Sequence, residues 1–413
     1  MPDTLLDGIT SDPAAMGWMK GFPPPPEKRI DAALGNHMRF PYTRWSFSHM
    51  REFCPTVRVS RGDGPVSRLP VALRDDLDAL PVRFADASAM TFGESHALNF
   101  TDAFLVLHKG VVVYERYFGV TRPDTRHIAF SVTKSFVGTI VEMLIAEGML
   151  DPAAPIGELI PELAGSGYAD ATLRQVLDMT TAIDFSETYD DAASGIAEFS
   201  HALALTPRPP GYAGPGDMYA YLPSLKANGT HGAAFTYRTI NTEVLGWIVA
   251  RTEGKRANEV LAERIWQPLG MEADADMLID PAGTPFTGGG LNPVLRDMAR
   301  FGEAIRSDGR IAGAQLLPVA PIRAIKEGAI GAGATRSPHP TLPNLVYRSQ
   351  WWCFDNGRRV LSARGIHGQT IYIDPAAEMV IARFASHPTA ANVAFDPHSL
   401  PVYRALGDHL SAA

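Results

Sequence analysis

AFSVTKSFVGTIVEMLIAEGML, residues 129–150, carries a serine and a lysine three positions apart at the head of an apolar run. Phe136, Val137, Ile140, Val141, Leu144 and Ile145 recur at helical spacing, and Gly148 and Pro152 end the pattern. The stretch therefore predicts a buried helix whose first turn holds Ser131. Lys134, one turn on, falls on the same face, so the two side chains can meet. A serine hydroxyl attacks a carbonyl only when a base takes its proton, and a helix N-terminus favours the negative charge that develops there. A lysine with an ordinary pKa of about 10.4 is no such base. Desolvation between packed elements disfavours its charged form, and a neighbouring tyrosine can share the proton. The competing reading is two solvated side chains on one helix face. Ser131 is the one serine of this chain with a lysine at that offset, and no G-x-S-x-G elbow offers a rival nucleophile.

Upstream of this helix, AFLVLH and VVVYERYF flank Lys109-Gly110, two strand-like runs joined by a two-residue turn, which predicts a hairpin. Near the end of the chain SQWWCF, RRVLSA, QTIYID and MVIARFA repeat the pattern, with turns at Asp355-Asn356-Gly357 and Asp374-Pro375. Such short, turn-linked strands are antiparallel. Between these β-rich parts the chain reads mostly as helices and proline-rich loops. TEVLGWIVARTEG, stopped by Gly254, is the clearest helix and ANEVLAERIWQPLG follows it. Three segments result: an extension over residues 1–80 wrapping the core, a sheet part over 81–149 and 290–413, and a mainly helical insertion over 150–289. A cleft between the last two is the expected place for a small-molecule site.

Composition narrows the function. With 413 residues, 46% of them apolar, the chain can bury a large core. Its 45 acidic and 37 basic residues give a net charge of -8 without charge blocks, which argues against nucleic acid as partner. No run approaches a membrane span, and the first thirty residues lack the pattern of a secretory signal, so a cytoplasmic location away from membranes is expected. The two cysteines, Cys54 and Cys353, are too few for a disulfide framework or zinc cluster and are expected as reduced thiols. The twelve histidines form no H-E-x-x-H, and the phosphate-loop motif is missing. GAIGAGATR, 328–336, follows no strand pattern and reads as a loop rather than a dinucleotide cradle. No metal or organic cofactor is expected.

Ser131-Val132-Thr133-Lys134 on a buried helix resembles the first motif of the serine β-lactamase and penicillin-binding-protein superfamily. DAFLVLHKGVVVYERY, LRQVLDMTTAIDFSETY, FTYRTINTEVLGWIVARTEG, GGGLNPVLRDMARFG and GIHGQTIYIDP extend the likeness, in order, toward the 6-aminohexanoate-dimer (nylon-oligomer) hydrolase and esterase branch. The resemblance covers roughly residues 85–385. It implies an α/β (α+β) serine β-lactamase-like fold, with an antiparallel sheet flanked by helices and an inserted helical lobe. It further implies hydrolysis of a small ester or amide through an acyl-enzyme, by a monomer or homodimer.

Residue by residue, the resemblance gives Tyr237 the role of general base in acylation and proton donor to the leaving group, beside Ser131 and Lys134. Thr239 stands where the second motif has asparagine; Asn241, two residues later, is the substitute substrate contact. The third motif falls on Ala363-Arg364-Gly365, which puts the Ile366 N–H with that of Ser131 in an oxyanion hole. Losing that motif's cation and hydroxyl disfavours the runner-up activities, a β-lactamase or a D-alanyl-D-alanine peptidase, although Arg364 is a candidate replacement anchor. Tyr189 matches a tyrosine near the scissile amide. Ser200 falls where the amide-active enzymes carry an acid. Trp351 and its neighbour Trp352 either line the cleft, favouring a flat or aliphatic acyl group, or fill the core. A non-catalytic ligand-binding sensor module is the remaining alternative.

Overall fold

The computed structural model describes residues 6–328, 335–337, 342, 345–354 and 357–412. The turn residues Asp355 and Asn356, and residues 329–334 of the glycine-rich loop, lie outside the described residues.

An eight-stranded antiparallel sheet is the frame. Its strands run in the order Thr335–Arg336, Leu345–Arg348, Trp351–Phe354, Val360–Arg364, Thr370–Asp374, Met379–Ala385, Thr101–His108, Val111–Tyr117. The first hairpin folds as its sequence requires: Lys109 and Gly110 both take positive φ, 52° and 78°, which gives the twist that a two-residue turn needs. His108 then faces Val111 across the hairpin. The last strand pairs back onto the first hairpin, Ile381 opposite Val106, so the early and late strands form one sheet.

Thr101–His108 is buried along nearly its whole length, and alternation divides its side chains between two layers. Phe104 and Val106 pack on one face with Val402, Tyr403 and Leu406 of the C-terminal helix Asp396–Ser411. Ala103, Leu105 and Leu107 face the larger core on the other side, with the helices Val132–Ala146 and Leu295–Arg306.

The helix Val132–Ala146 is buried at every position up to Leu144, the mark of an element with packing on all sides. It contacts the sheet strands Trp351–Phe354 and Val360–Arg364 as well as the helix Thr239–Glu253. That second helix ends where the sequence predicts, at Gly254 with φ 65°. The region read as helices and loops also contains a strand, Ala275–Leu278, the middle of a small sheet between Thr56–Val59 and Leu291–Asn292. Four buried residues in a row hid it, because such a short run has no alternation to distinguish strand from helix. Cys54 and Cys353 are free and buried. No helix among the described residues is long and apolar enough to cross a membrane.

Candidate active site

Ser131 caps the N-terminus of the Val132–Ala146 helix, and Phe130 before it is held at φ 45°, a left-handed conformation that few non-glycine residues adopt. This sharp entry directs the serine into the cleft rather than onto its own helix: its side chain makes no capping hydrogen bond. Strain of this kind persists where the surroundings over-determine it.

Lys134 is 1% exposed, and its Nζ lies 3.0 Å from Ser131 Oγ. Two further partners fix it: Thr239 Oγ1 at 3.2 Å and the carbonyl of Gly288 at 2.5 Å. Glycine is required at 288, since a Cβ there would run into Glu243 and Thr239. Burial drives the lysine pKa below its ordinary value of 10.5, while Glu187 and Glu243 oppose that shift. Tyr237 presents its ring 5.3 Å from the same Nζ and lines the cleft together with Ser131. Burial and then Glu187 push its phenol above the ordinary range, so it is protonated at neutral pH. Trp352 stacks on the tyrosine ring at 5.5 Å and 17°.

Two carboxylates that the sequence reading did not single out surround this group. Glu187 accepts from the Thr239 N–H at 2.6 Å, from Thr239 Oγ1 at 2.5 Å and from the Tyr189 hydroxyl at 2.7 Å. Glu243 is buried and accepts from the Gly288 N–H at 2.7 Å, the Thr287 N–H at 3.0 Å and Thr287 Oγ1 at 2.8 Å. Burial raises its carboxyl, against the pull of Thr287 and Lys134. A signal for Glu243 was present: it follows Thr239 by four residues, hence on the same helix face. Glu187 sits on a loop, where no periodicity marks it.

Tyr189, 39% exposed, lines the cleft beside Ser131. Gly365 passes so close to the segment before Ser131 that a Cβ would strike the Ala129 carbonyl, and Ile366 after it lines the cleft together with Ser131. Among the described residues neither the Ser131 N–H nor the Ile366 N–H has a backbone acceptor.

Two expected substrate contacts are corrected. Asn241 is fully buried, its Oδ1 taken by the hydroxyls of Tyr168 at 2.7 Å and Thr181 at 3.0 Å, so it braces the interior and does not reach the cleft. Trp351 is also fully buried, packed on Phe301. Strand alternation gives the cleft to Trp352 instead. Arg364 does border the cleft, but its guanidinium is ion-paired with Asp396, so it is not an unpaired anchor for a substrate carboxylate. Among the described residues no group of His, Cys, Asp and Glu is arranged to hold a metal ion.

A buried helix presenting Ser131 and Lys134, wedged between an antiparallel sheet and a second helical layer, defines the class, and comparison with known proteins agrees: the Beta-lactamase family model matches residues 100–399, and the chain is a hydrolase belonging to that family. It is 36% identical over 359 residues to the 6-aminohexanoate-dimer hydrolase of Paenarthrobacter ureafaciens, covering 87% of this chain and 89% of that protein. A solved structure from Bacillus anthracis, provisionally designated a 6-aminohexanoate-dimer hydrolase, superposes with a TM-score of 0.83 at 34% identity, over 92% of this chain and 97% of that one. A family VIII carboxylesterase shares the fold more distantly, with a TM-score of 0.57 at 15% identity, over 76% and 95% of the two chains.

Proposed function

We propose that this hydrolase cleaves a small ester or amide by a two-step acyl-enzyme route centred on Ser131. The observation that carries the reading is the Lys134 amine, buried and 3.0 Å from the serine oxygen. As a neutral amine, Lys134 can donate to Gly288 and Thr239 and accept the Ser131 proton, which satisfies every group in the cluster. Ser131 Oγ then bonds to the substrate carbonyl carbon while its proton passes to Lys134. The oxyanion is met by the Ser131 and Ile366 N–H groups. As the carbonyl-to-leaving-group bond breaks, Tyr237 gives the leaving atom its phenolic proton. The resulting phenolate is stabilised by the lysinium beside it. In the second step the phenolate takes a proton from water, the hydroxide attacks the acyl carbon, and Ser131 recovers its proton from Lys134. Electrostatics favour Lys134 over Tyr237 as the base in acylation, because burial lowers the amine and raises the phenol.

The substrates named for the relatives are small molecules, in keeping with a cleft of about 670 Å³. A fluorophosphonate probe followed by intact mass measurement tests the reading. One adduct is expected, lost in Ser131→Ala, together with turnover of p-nitrophenyl acetate that outpaces nitrocefin. Equal labelling of Ser131→Ala sinks the assignment, and strong turnover of nitrocefin alone favours the β-lactamase alternative.

A further inference from the structure

The space around Ser131 is divided into two unequal chambers. The larger, about 670 Å³, has Met38, Phe130, Ile196, Phe199, Leu205 and Phe286 in its wall. The smaller, about 150 Å³, is bounded by Tyr237, Leu345, Trp352, Arg364 and Asn392. Ser131 and Ile366 border both, so a carbonyl held at the serine has one substituent on each side. Tyr237 faces the smaller chamber and is not among the residues of the larger. A leaving group that receives its proton from Tyr237 therefore departs through the smaller chamber, and the acyl chain occupies the larger.

The chemistry of the two walls then restricts the substrate. The acidic residues of the larger chamber, Asp190 and Asp191, are both solvent-exposed. Ser200 in the same wall donates its hydroxyl to the Ile196 carbonyl at 2.8 Å. Among the described residues no buried carboxylate stands in this wall to pair a terminal ammonium, and an unpaired buried charge is costly. Leu34, 66% exposed, continues the apolar lining to the surface. It belongs to the N-terminal segment, which is tied to the wall by His37 Nε2 donating to the Leu205 carbonyl at 3.2 Å. On the other side Arg364 is paired with Asp396, so among the described residues no unpaired cation awaits a charged leaving group.

Resting on the Ser131 acyl-transfer reading, we infer that the substrate is an ester of an uncharged aliphatic acid of medium length with a small, uncharged leaving group, and that residues 33–39 form part of the acyl-chain wall. Each methylene buried in the larger chamber raises kcat/KM by roughly threefold, whereas the smaller chamber penalises a long alcohol.

Two isomers separate the sides: methyl hexanoate and pentyl acetate carry the same atoms, with the five-carbon chain on opposite sides of the ester. Hydrolysis followed by pH-stat is expected to favour methyl hexanoate by about tenfold or more in kcat/KM. Methyl 6-aminohexanoate, as its ammonium, is expected to fall about tenfold below methyl hexanoate. Ala197→Trp, which fills the larger chamber from its wall, should lower the hexanoyl-to-acetyl ratio of p-nitrophenyl esters about tenfold. Leu34→Asp, at an exposed position that folding tolerates, should lower it about threefold. Equal rates for the isomers, a preference for the amino ester, or an unchanged ratio in both variants overturns the inference while leaving Ser131 chemistry in place. Loss of labelling and of all ester turnover would instead remove the reading beneath it, and the inference with it.

Discussion

Lys134 holds the charge balance of the site. In the proposed mechanism its amine must be neutral to take the serine proton, so kcat/KM is expected to rise with pH as Lys134 deprotonates, and burial moves that limb below the ordinary 10.5. Glu187 and Glu243 work the other way, each favouring the lysinium. Removing one negative charge should therefore move the limb to lower pH: Glu243→Gln, which keeps an acceptor for the Gly288 N–H, is expected to shift it down by about half a unit to one unit. A pH profile of kcat/KM on p-nitrophenyl acetate reads this directly. A limb that stays in place, or moves up, would mean that the titrating group is not Lys134. The serine and lysine were legible in the sequence because helical spacing alone sets them side by side. Glu187 was not, since it reaches the group from a loop, and Glu243, marked only by its helical offset from Thr239, acts through the backbone of Gly288.

At the scale of elements, the site depends on how a strand end and a hairpin meet the helix that carries Ser131 and Lys134. The hairpin turn Ser349-Gln350 is buried, both residues at positive φ, and the Gln350 carbonyl accepts from Ser135 Oγ at 2.7 Å. A Cβ at Gly138 would collide with Ser349, so the glycine lets the turn dock on the helix. That docking sets the register: Trp351 goes inward to Phe301, and Trp352 goes to Tyr237. The strand was readable from its residues; which tryptophan faced the cleft was not, because two adjacent tryptophans satisfy either register equally. Asn241 illustrates the same limit on a helix, where a shift of two positions turns a side chain from the cleft to the interior. Gly365 is the matching contact on the sheet side. Gly365→Ala should force the end of the strand away from Ala129 and draw the Ile366 N–H off the proposed oxyanion site, lowering kcat by roughly 10- to 100-fold with little change in KM. Steady-state kinetics alongside thermal melting checks it. Unchanged kcat with a native melting curve would show that Ile366 is not an oxyanion donor.

Across the whole molecule, the N-terminal segment is joined to the sheet by a buried ion pair. Arg44 Nη1 lies 2.7 Å from Asp102 Oδ1 and also donates to the Phe100 carbonyl at 2.9 Å. His127 Nε2, 3.2 Å away, and Ser386 Oγ complete the partners of Asp102. Burial by itself would raise the Asp102 carboxyl, but Arg44 and these hydrogen bonds together hold it below its ordinary 3.8. A carboxyl depressed in the folded state contributes stability that is complete above the unfolded pKa and is lost as pH falls through the folded one. The pair therefore supports the fold at neutral pH and fails in strong acid. Composition could mark residues 1–80 as an extension, yet Arg44 and Asp102 are too far apart in sequence for spacing to pair them. Arg44→Ala leaves a buried carboxylate without its cation and is expected to cost roughly 3–5 kcal/mol in denaturant unfolding at pH 7. Replacing both partners, as Arg44→Met with Asp102→Leu, should recover much of that loss because no charge is then stranded. Since the same segment supplies Met38 to the chamber inferred to hold the acyl chain, the single variant should also loosen the hold on hexanoyl esters before the protein unfolds, seen as a raised KM at low denaturant. Full wild-type stability in Arg44→Ala would show that the segment is held by its apolar contacts, Trp18, Ile30 and Trp45 among them, and not by this pair.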